Sequence, residues 1–565
     1  VKQNITMYVP NDLVEKYTNK YKRNNLEIKS IEFKEDTISY KMIDTHSVSV
    51  IYSEDYKELS DISIPEKVYY DETWFNVTKV DTKSFEDCTL LTSITLCDNI
   101  TYIGKKAFSR CVNVESITIP KSVTHIGESA FYGCSSIRTL NIPKNVTFIG
   151  YCAFENCNGL TSISVCRNNP IYDSRRNCNA IIHTKSNKLI RGCNKTRVPN
   201  SIQHLEDYAF SYCTNICKIK LSNIVSIGRG VFEGCTNLCS VSIPNSVTEI
   251  SDHTFSGCSL LSSIQIPNSV TEIGAYAFNN CSSLSSILIP ERVTKIDDKA
   301  FSGCTSLLSI QIPKSVILIG YDAFYNTPWY EKQTSDIIYI NQVLYKYREY
   351  HEKKSIEIKK GTKSISSYAF DKCNFLEFIK IPSSVMTIEA YAFHNCSSLK
   401  NIDFDWVKDK GEKLEVDNDY IYLHTFNIGY GAFHGCNSLN RETKQNIKNY
   451  AGFSLSCWWE FEHKIFGSQL EDYDSLDDLE EFEDDPKKIW QSNMFGKSLY
   501  ELVNEGIHSK LQNMPDILLI KLKTVHQSYG SFVFFLKFKG KLYGFSALGM
   551  SLPGALKKRN RTASL

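Results

Sequence analysis

Phenylalanines stand at positions 85, 108, 131 and 154, then at 210, 232, 255, 278, 301 and 324, then at 370, 393 and 433. Within a run the interval is 23 residues, once 22, and wider intervals of 56, 46 and 40 interrupt the series. Self-similarity at this period predicts a solenoid, in which each unit is one coil laid on the next. Apolar positions keep fixed offsets inside the period: Leu261, Ile264, Ile266, Val270 and Ile273 follow Phe255. Ile264, Gln265 and Ile266 alternate as a strand does, which predicts both isoleucines inward and Gln265 outward. Pro267 then ends the strand, because it has no N–H for the ladder. The residues before each phenylalanine, as in "GAYAF" at 274–278, are compatible with a helical turn. The fold class expected is therefore a β-rich solenoid, each coil one strand plus a return path with a short helical turn. A single coil buries too few apolar side chains to offset the entropy of ordering its backbone, so coils exist only by stacking.

Twelve of the thirteen phenylalanines are followed at the third place by a cysteine: Cys88, Cys111, Cys134, Cys157, Cys213, Cys235, Cys258, Cys281, Cys304, Cys373, Cys396 and Cys436. After Phe324 the place is held by Thr327. Cysteines at this density suggest a disulfide framework in a short secreted chain, but these follow the repeat instead. A side chain recurring once per coil lies in a row along the solenoid axis, and a free cysteine packs as a small hydrophobe with a weak donor. The reading is a structural ladder in the interior. The alternatives are disulfides between coils or a soft-metal site, for which Cys213 and Cys217 with Cys235 and Cys239 are the best placement. Their C-x3-C spacing is not the C-x2-C of common zinc sites, and no metal or cofactor is expected.

The chain has 565 residues, too many for one ordinary core, so several domains or an extended array are expected. Its 64 basic and 63 acidic residues give no electrostatic footprint for nucleic acid. No apolar run approaches the roughly 20 residues that cross a bilayer, and "VKQNITMYVPND" has no apolar signal region.

The pattern A-F-x-x-C-x-x-L-x-x-I-x-I-P-x-S-V-T-x-I-G, seen in residues 254–320, resembles the BspA-type (Treponema-type) leucine-rich repeat, over roughly residues 80–440. Residues 169–193 and 327–347 resemble two-stranded excursions of that family, and insertions are expected near 167–195, 327–355 and 403–425. Residues 30–84 resemble its β-rich N-terminal cap, which would cover the open sheet edge. Residues 1–29 resemble the close of a preceding repeat domain, as though upstream sequence were lost or rearranged. The solenoid proper is expected over 85–440. The resemblance implies a binding surface, displayed on cells or secreted and used for adhesion to a protein or surface glycan, with a cytoplasmic location as the alternative. It does not imply catalysis. The outward strand positions Thr118, Asn141, Ser164, Lys220, Ser242, Gln265, Gln311 and Lys380 form the candidate binding stripe.

Catalytic signatures are missing from the sequence. "GFSALG" at 544–549 is one residue too long for a nucleophile elbow. "FGKSL" at 495–499 lacks the glycine of a phosphate-binding loop, Gln491 holding that place. His394 and His434 each follow a repeat phenylalanine and are read as surface residues of the coils.

Beyond Leu439 the period stops. Residues 471–485 hold ten acidic side chains in fifteen, so 441–486 reads as a solvated acidic linker. In 487–515, Ser498 and Glu501 make a capping box before a helical face of Leu499, Leu502, Val503, Ile507 and Leu511. This stretch resembles the C-terminal end of stage IV sporulation protein A, a spore-coat morphogenetic ATPase. It implies a docking module for coat assembly, without ATP hydrolysis, since no Walker motif is found. Past Pro515 the chain turns β-prone, with a strand expected at 532–538, so 487–565 reads as a small α+β domain.

Overall fold

The computed structural model describes residues 5–10, 13–14, 17–18, 26–348, 353–405, 413–416, 419–422, 427–450, 518–519, 523–524, 531–538 and 541–548. It divides into two compact units, Val1–Val316 with Asp322–Gln333, and Ile317–Tyr321 with Thr334–Leu565. The described coils of each form a β-solenoid.

In the first unit, the strands Asp61–Ser63, Ser93–Thr95 and Ser116–Ile117 lie parallel, with Ile62, Ile94 and Ile117 side by side and buried. These are the strands the Ile-x-Ile pairs predict. Where a proline follows the pair it starts a tight turn: Val123 N–H donates to Pro120 O at 3.1 Å and Val293 N–H to Pro290 O at 3.1 Å. A second row of parallel strands follows where the sequence suggested only a return path. There Lys79, Tyr102, His125 and Phe148 are neighbours in register, and so are Val80, Ile103, Ile126 and Ile149. Two residues per coil are too few for an alternation to be read from sequence. Gly127 closes the corner of its coil by letting backbones touch, since a Cβ there would lie 2.5 Å from the carbonyl carbon of Gly104.

The helical turn does not form. Lys83 and Asp87, two residues either side of Phe85, have positive φ, and so do Lys106 and Arg110, Tyr276 and Asn280, and Tyr391 and Asn395. Left-handed residues cannot continue a right-handed helix. They turn the peptide groups toward the next coil instead, so that Phe108 N–H donates to Ala130 O at 2.8 Å and Phe278 N–H to Ala300 O at 2.7 Å. The rings then stack face to face, at centroid separations of 5.2, 5.4 and 5.4 Å from Phe85 to Phe154. One coil departs from the pattern: residues 264–266 form no strand, and Ile264 is only half-buried. Nothing in the residues of that coil accounts for it.

The cap is an antiparallel set, Glu32–Glu35, Ile38–Met42 and Ser47–Val50, whose last strand runs parallel to Thr73–Val80. Tyr56 ends the phenylalanine stack, its ring 4.7 Å from that of Phe85 and its hydroxyl accepting from Ser39 N–H at 2.7 Å. Ahead of the cap, Ile5–Val9 pairs in parallel with Leu26–Ser30.

The excursions are antiparallel hairpins: Ala180–His183 with Lys188–Gly192, Ile337–Ile340 with Val343–Tyr347, and Lys413–Val416 with Asp419–Tyr422. In the first two, the returning strand rejoins the solenoid by pairing in parallel with His204–Leu205 or with Ser364–Ile365. Both also replace the donors of a phenylalanine turn. Gly192 N–H donates to Ala209 O at 2.8 Å, as Tyr347 N–H does to Ala369 O at 2.8 Å. The preceding cation takes the neighbouring carbonyl, Arg191 on Tyr208 O at 2.8 Å and Lys346 on Tyr368 O at 2.9 Å.

The second unit repeats the plan, with Ser355–Glu357, Phe378–Ile381 and Asn401–Phe404 parallel and Tyr347, Phe370, Phe393 and Phe433 in one row of rings. The first ten residues of the expected acidic linker are instead the helix Arg441–Tyr450. Asn440 caps it by accepting from Thr443 N–H at 2.7 Å, and Ile447 is buried. The strand expected at 532–538 is Ser531–Phe538, paired antiparallel with Lys541–Leu548.

Candidate functional site

Because alternate residues of a strand point to opposite faces, the tenth residue after each phenylalanine faces away from the core. Thr118, Asn141, Ser164, Lys220, Ser242, Gln265 and Gln311 are exposed there. Ser164 Oγ donates to Asn141 Oδ1, and Lys220 sits directly beside Ser242 in register. The first excursion separates these two pairs in the chain, and the coil of Gln265 lacks its strand. In the second unit, Lys380 is half-buried and ion-paired to Glu357 at 3.3 Å, with Asp403 on its other side. It belongs to a cross-strand charge row and is less open than the sequence suggested.

Leu288 holds the same offset from Phe278, and polarity alone does not single it out. It is 62% exposed and pairs with Gln311; counting ten from every phenylalanine would have found it. The second strand row carries a further exposed series in the first unit, Tyr102, His125 and Phe148, with ring centroids 6.1 and 5.8 Å apart. Lys79 Nζ lies 5.9 Å from the Tyr102 centroid. These residues share the seventeenth place after Phe85, Phe108 and Phe131, a regularity equally visible in the sequence.

All twelve repeat cysteines are buried. Nine reach back one coil and donate to a phenylalanine carbonyl, at 2.9–3.2 Å: Cys111 to Phe85, Cys134 to Phe108 and Cys157 to Phe131, then Cys235, Cys258, Cys281, Cys304, Cys396 and Cys436 in the same way. Burial pushes the thiols up, Cys88 and Cys213 to about 11 and Cys157 and Cys304 to about 12. Thr327, in the coil without a thiol, donates to its own Phe324 O at 2.8 Å and caps the short helix Pro328–Glu331. Serines of the phrase also reach back, Ser269 Oγ to Val247 O at 2.6 Å and Ser315 Oγ to Val293 O at 2.8 Å.

Cys213, Cys217, Cys235 and Cys239 do not converge. Cys213 and Cys235 are inside, whereas Cys217 is exposed and Cys239 half-exposed, on the other side of the backbone. The outer two have Sγ atoms 2.8 Å apart. Among the described residues no group of three or more His, Cys, Asp or Glu could hold a metal ion, and no described helix is long and apolar enough to cross a membrane.

Where the first excursion interrupts the phenylalanine turns, a cleft of about 230 Å³ is lined by Tyr151, Cys152, Glu155, Arg191, Asp207 and Tyr208. Burial pushes the Glu155 carboxyl and the Cys152 thiol up. Arg191 is engaged with Tyr208 O and Ser211, so it serves the restart of the stack. His394 and His434 stack at 5.3 Å, and His394 Nδ1 lies 2.7 Å from Asp371 Oδ1. The docking stretch 487–515 and the acidic residues 471–485 lie outside the described residues.

The family profile of the BspA type leucine rich repeat region, in six copies, matches residues 56–181, 182–282, 225–352 and 339–415. A second profile, sporulation stage IV protein A, C-terminal, matches residues 475–528, a longer stretch than 487–515. Stage IV sporulation protein A of Clostridioides difficile is 47% identical over 49 residues, which are 9% of this chain and 10% of that protein. The chain therefore spans about a tenth of the length of the curated relatives it matches. Among solved structures, a leucine-rich repeat protein from Bacteroides ovatus is 24% identical with a TM-score of 0.37, over 74% of this chain and 97% of that one. A leucine rich cell surface protein from Faecalibacterium prausnitzii is 24% identical with a TM-score of 0.35, over 50% and 94%.

Proposed function

The chain belongs to the BspA-type leucine-rich-repeat family, and from that premise we propose that it is a non-catalytic binding protein that recognises a protein or surface glycan along its Ile-x-Ile strand face. The observation that carries this is the run of exposed side chains at one offset from the phenylalanines, Thr118, Asn141, Ser164, Lys220, Ser242, Gln265 and Gln311. Hydroxyls, amides and one ammonium offer directional hydrogen bonds to a partner, and Leu288 adds an apolar contact among them. Lys380 serves the equivalent place in the second unit.

Arrays of matrix proteins and glycans probed with the intact chain identify the ligand. The triple variant Lys220→Glu, Gln265→Glu, Gln311→Glu is then expected to lose capture by roughly tenfold or more, through unfavourable charge at the contact, with unchanged thermal melting. Undiminished capture overturns the strand-face reading.

The match of residues 475–528 favours a second reading, a structural protein of the spore coat that docks through 487–515. On that reading, deleting 475–528 abolishes incorporation into coat layers. On the first, the deletion leaves ligand capture intact.

A further inference from the structure

Eight of the twenty cysteines fall outside the repeat phrase, and two of these meet. Cys217 and Cys239 precede the paired strands Lys218–Lys220 and Ser240–Ser242, on the face turned away from the core. Cys239 N–H donates to Cys217 O at 2.9 Å, so the two residues are lateral neighbours on adjacent coils. Neighbouring strands lie about 4.8 Å apart, inside the range of roughly 4.4–6.8 Å between Cα atoms that a disulfide accepts. The side chains already point together, with Sγ atoms 2.8 Å apart. Cys239 Sγ also donates to Cys217 O at 3.2 Å, whereas the twelve cysteines of the inner row are buried, nine of them bound to phenylalanine carbonyls.

We propose that Cys217 and Cys239 are a thiol-modification site, which reacts with a small-molecule disulfide to form a covalent staple across two coils on the outer face. One thiolate attacks the small disulfide, giving a protein mixed disulfide and releasing one small thiolate. The second protein thiolate then attacks the protein sulfur of that mixed disulfide, forming the Cys217–Cys239 bond and expelling the other small thiolate. The protein loses two electrons and two protons; the small disulfide gains both and leaves as two thiols. The staple needs no rearrangement of the coils, because pairing of the strands has placed the sulfurs before reaction. A structural zinc would demand four ligands, and among the described residues this pair has no such company. The hydrogen bond with Cys239 raises the Cys217 thiol above its ordinary range, so the exchange is expected to accelerate as the pH is raised.

The reduced full-length chain, incubated in native buffer with oxidised glutathione and then alkylated, tests this. Fragmentation is expected to recover the Cys217 and Cys239 peptides linked and two hydrogens lighter than the reduced pair, a readout kept separate from glutathione added at the exposed Cys166. The single variants Cys217→Ser and Cys239→Ser are expected to lose the link and to carry one glutathione on the remaining thiol. Cys217 and Cys239 each retaining glutathione in the unsubstituted chain, a link between them that appears only in urea, or no reaction at either of the two would each overturn the proposal.

Discussion

A cysteine three places after twelve of the thirteen repeat phenylalanines contributes two things, a side chain small enough for the inside of the turn and one proton to give. The recipient is the carbonyl of the phenylalanine 26 residues earlier in most coils, as from Cys281 to Phe255. Because burial raises these thiols, they keep their protons at a pH where the unfolded chain has lost them. The stabilisation is complete below about pH 9, the ordinary thiol value, and declines as pH rises toward about 11 for Cys88 and Cys213. The melting temperature is expected to fall between pH 9 and 11, and to fall less steeply in the Cys88→Ala, Cys213→Ala double variant. Parallel slopes for the two proteins would refute burial of these two thiols as a source of the decline. The position of every thiol of the inner row is legible by counting from the phenylalanines. The acceptor is not, since it lies on another coil and depends on backbone turned by left-handed residues such as Tyr276 and Asn280. Those residues carry no glycine signal, so the sequence suggested a helical turn.

Among elements, the excursions show what an interrupted stack requires. A coil that opens a new series has phenylalanine-turn carbonyls with no preceding turn beneath them, and buried carbonyls without donors cost stability. Arg191 with Gly192, and Lys346 with Tyr347, supply the donors. Tyr347 also lays its ring on Phe370, at 5.7 Å. Gly192 does the reverse and makes room, because a Cβ there would come within 2.1 Å of the Phe210 ring. Gly192→Ala is therefore expected to displace Phe210 and cost about 1–3 kcal/mol, read as a lower urea midpoint. An unchanged midpoint would show that the ring has room to spare. The two-stranded form of these insertions was readable from runs such as "AIIHTKSNKLIRG". Their role as substitutes was hidden, because it depends on which carbonyls the missing turn leaves open. The outward strand positions are legible for the same reason as the thiols, by offset; Leu288 shares that offset but its apolar side chain does not mark it as outward.

For the whole molecule, stability rests on every coil having a neighbour, and the first coil's neighbour is the cap. Tyr56 covers Phe85, and Asp61–Ser63 covers the strand Ser93–Thr95. Removing residues 1–84 would bare a ring and a row of unpaired backbone groups, an edge prone to self-pairing. Such a truncated chain is expected to elute as oligomers or to precipitate, as size-exclusion chromatography with light scattering will show; a well-behaved monomer would mean that the cap is dispensable. The direction of the thiol bonds has a longer reach. Each rung ties a coil to the one before it by the same pair of groups, so excising one complete set of twenty-three codons brings together surfaces already shaped for each other. Genetic gain or loss of single repeats would then leave the joints sound while lengthening or shortening the wall, and lineages could vary its reach without redesigning any part.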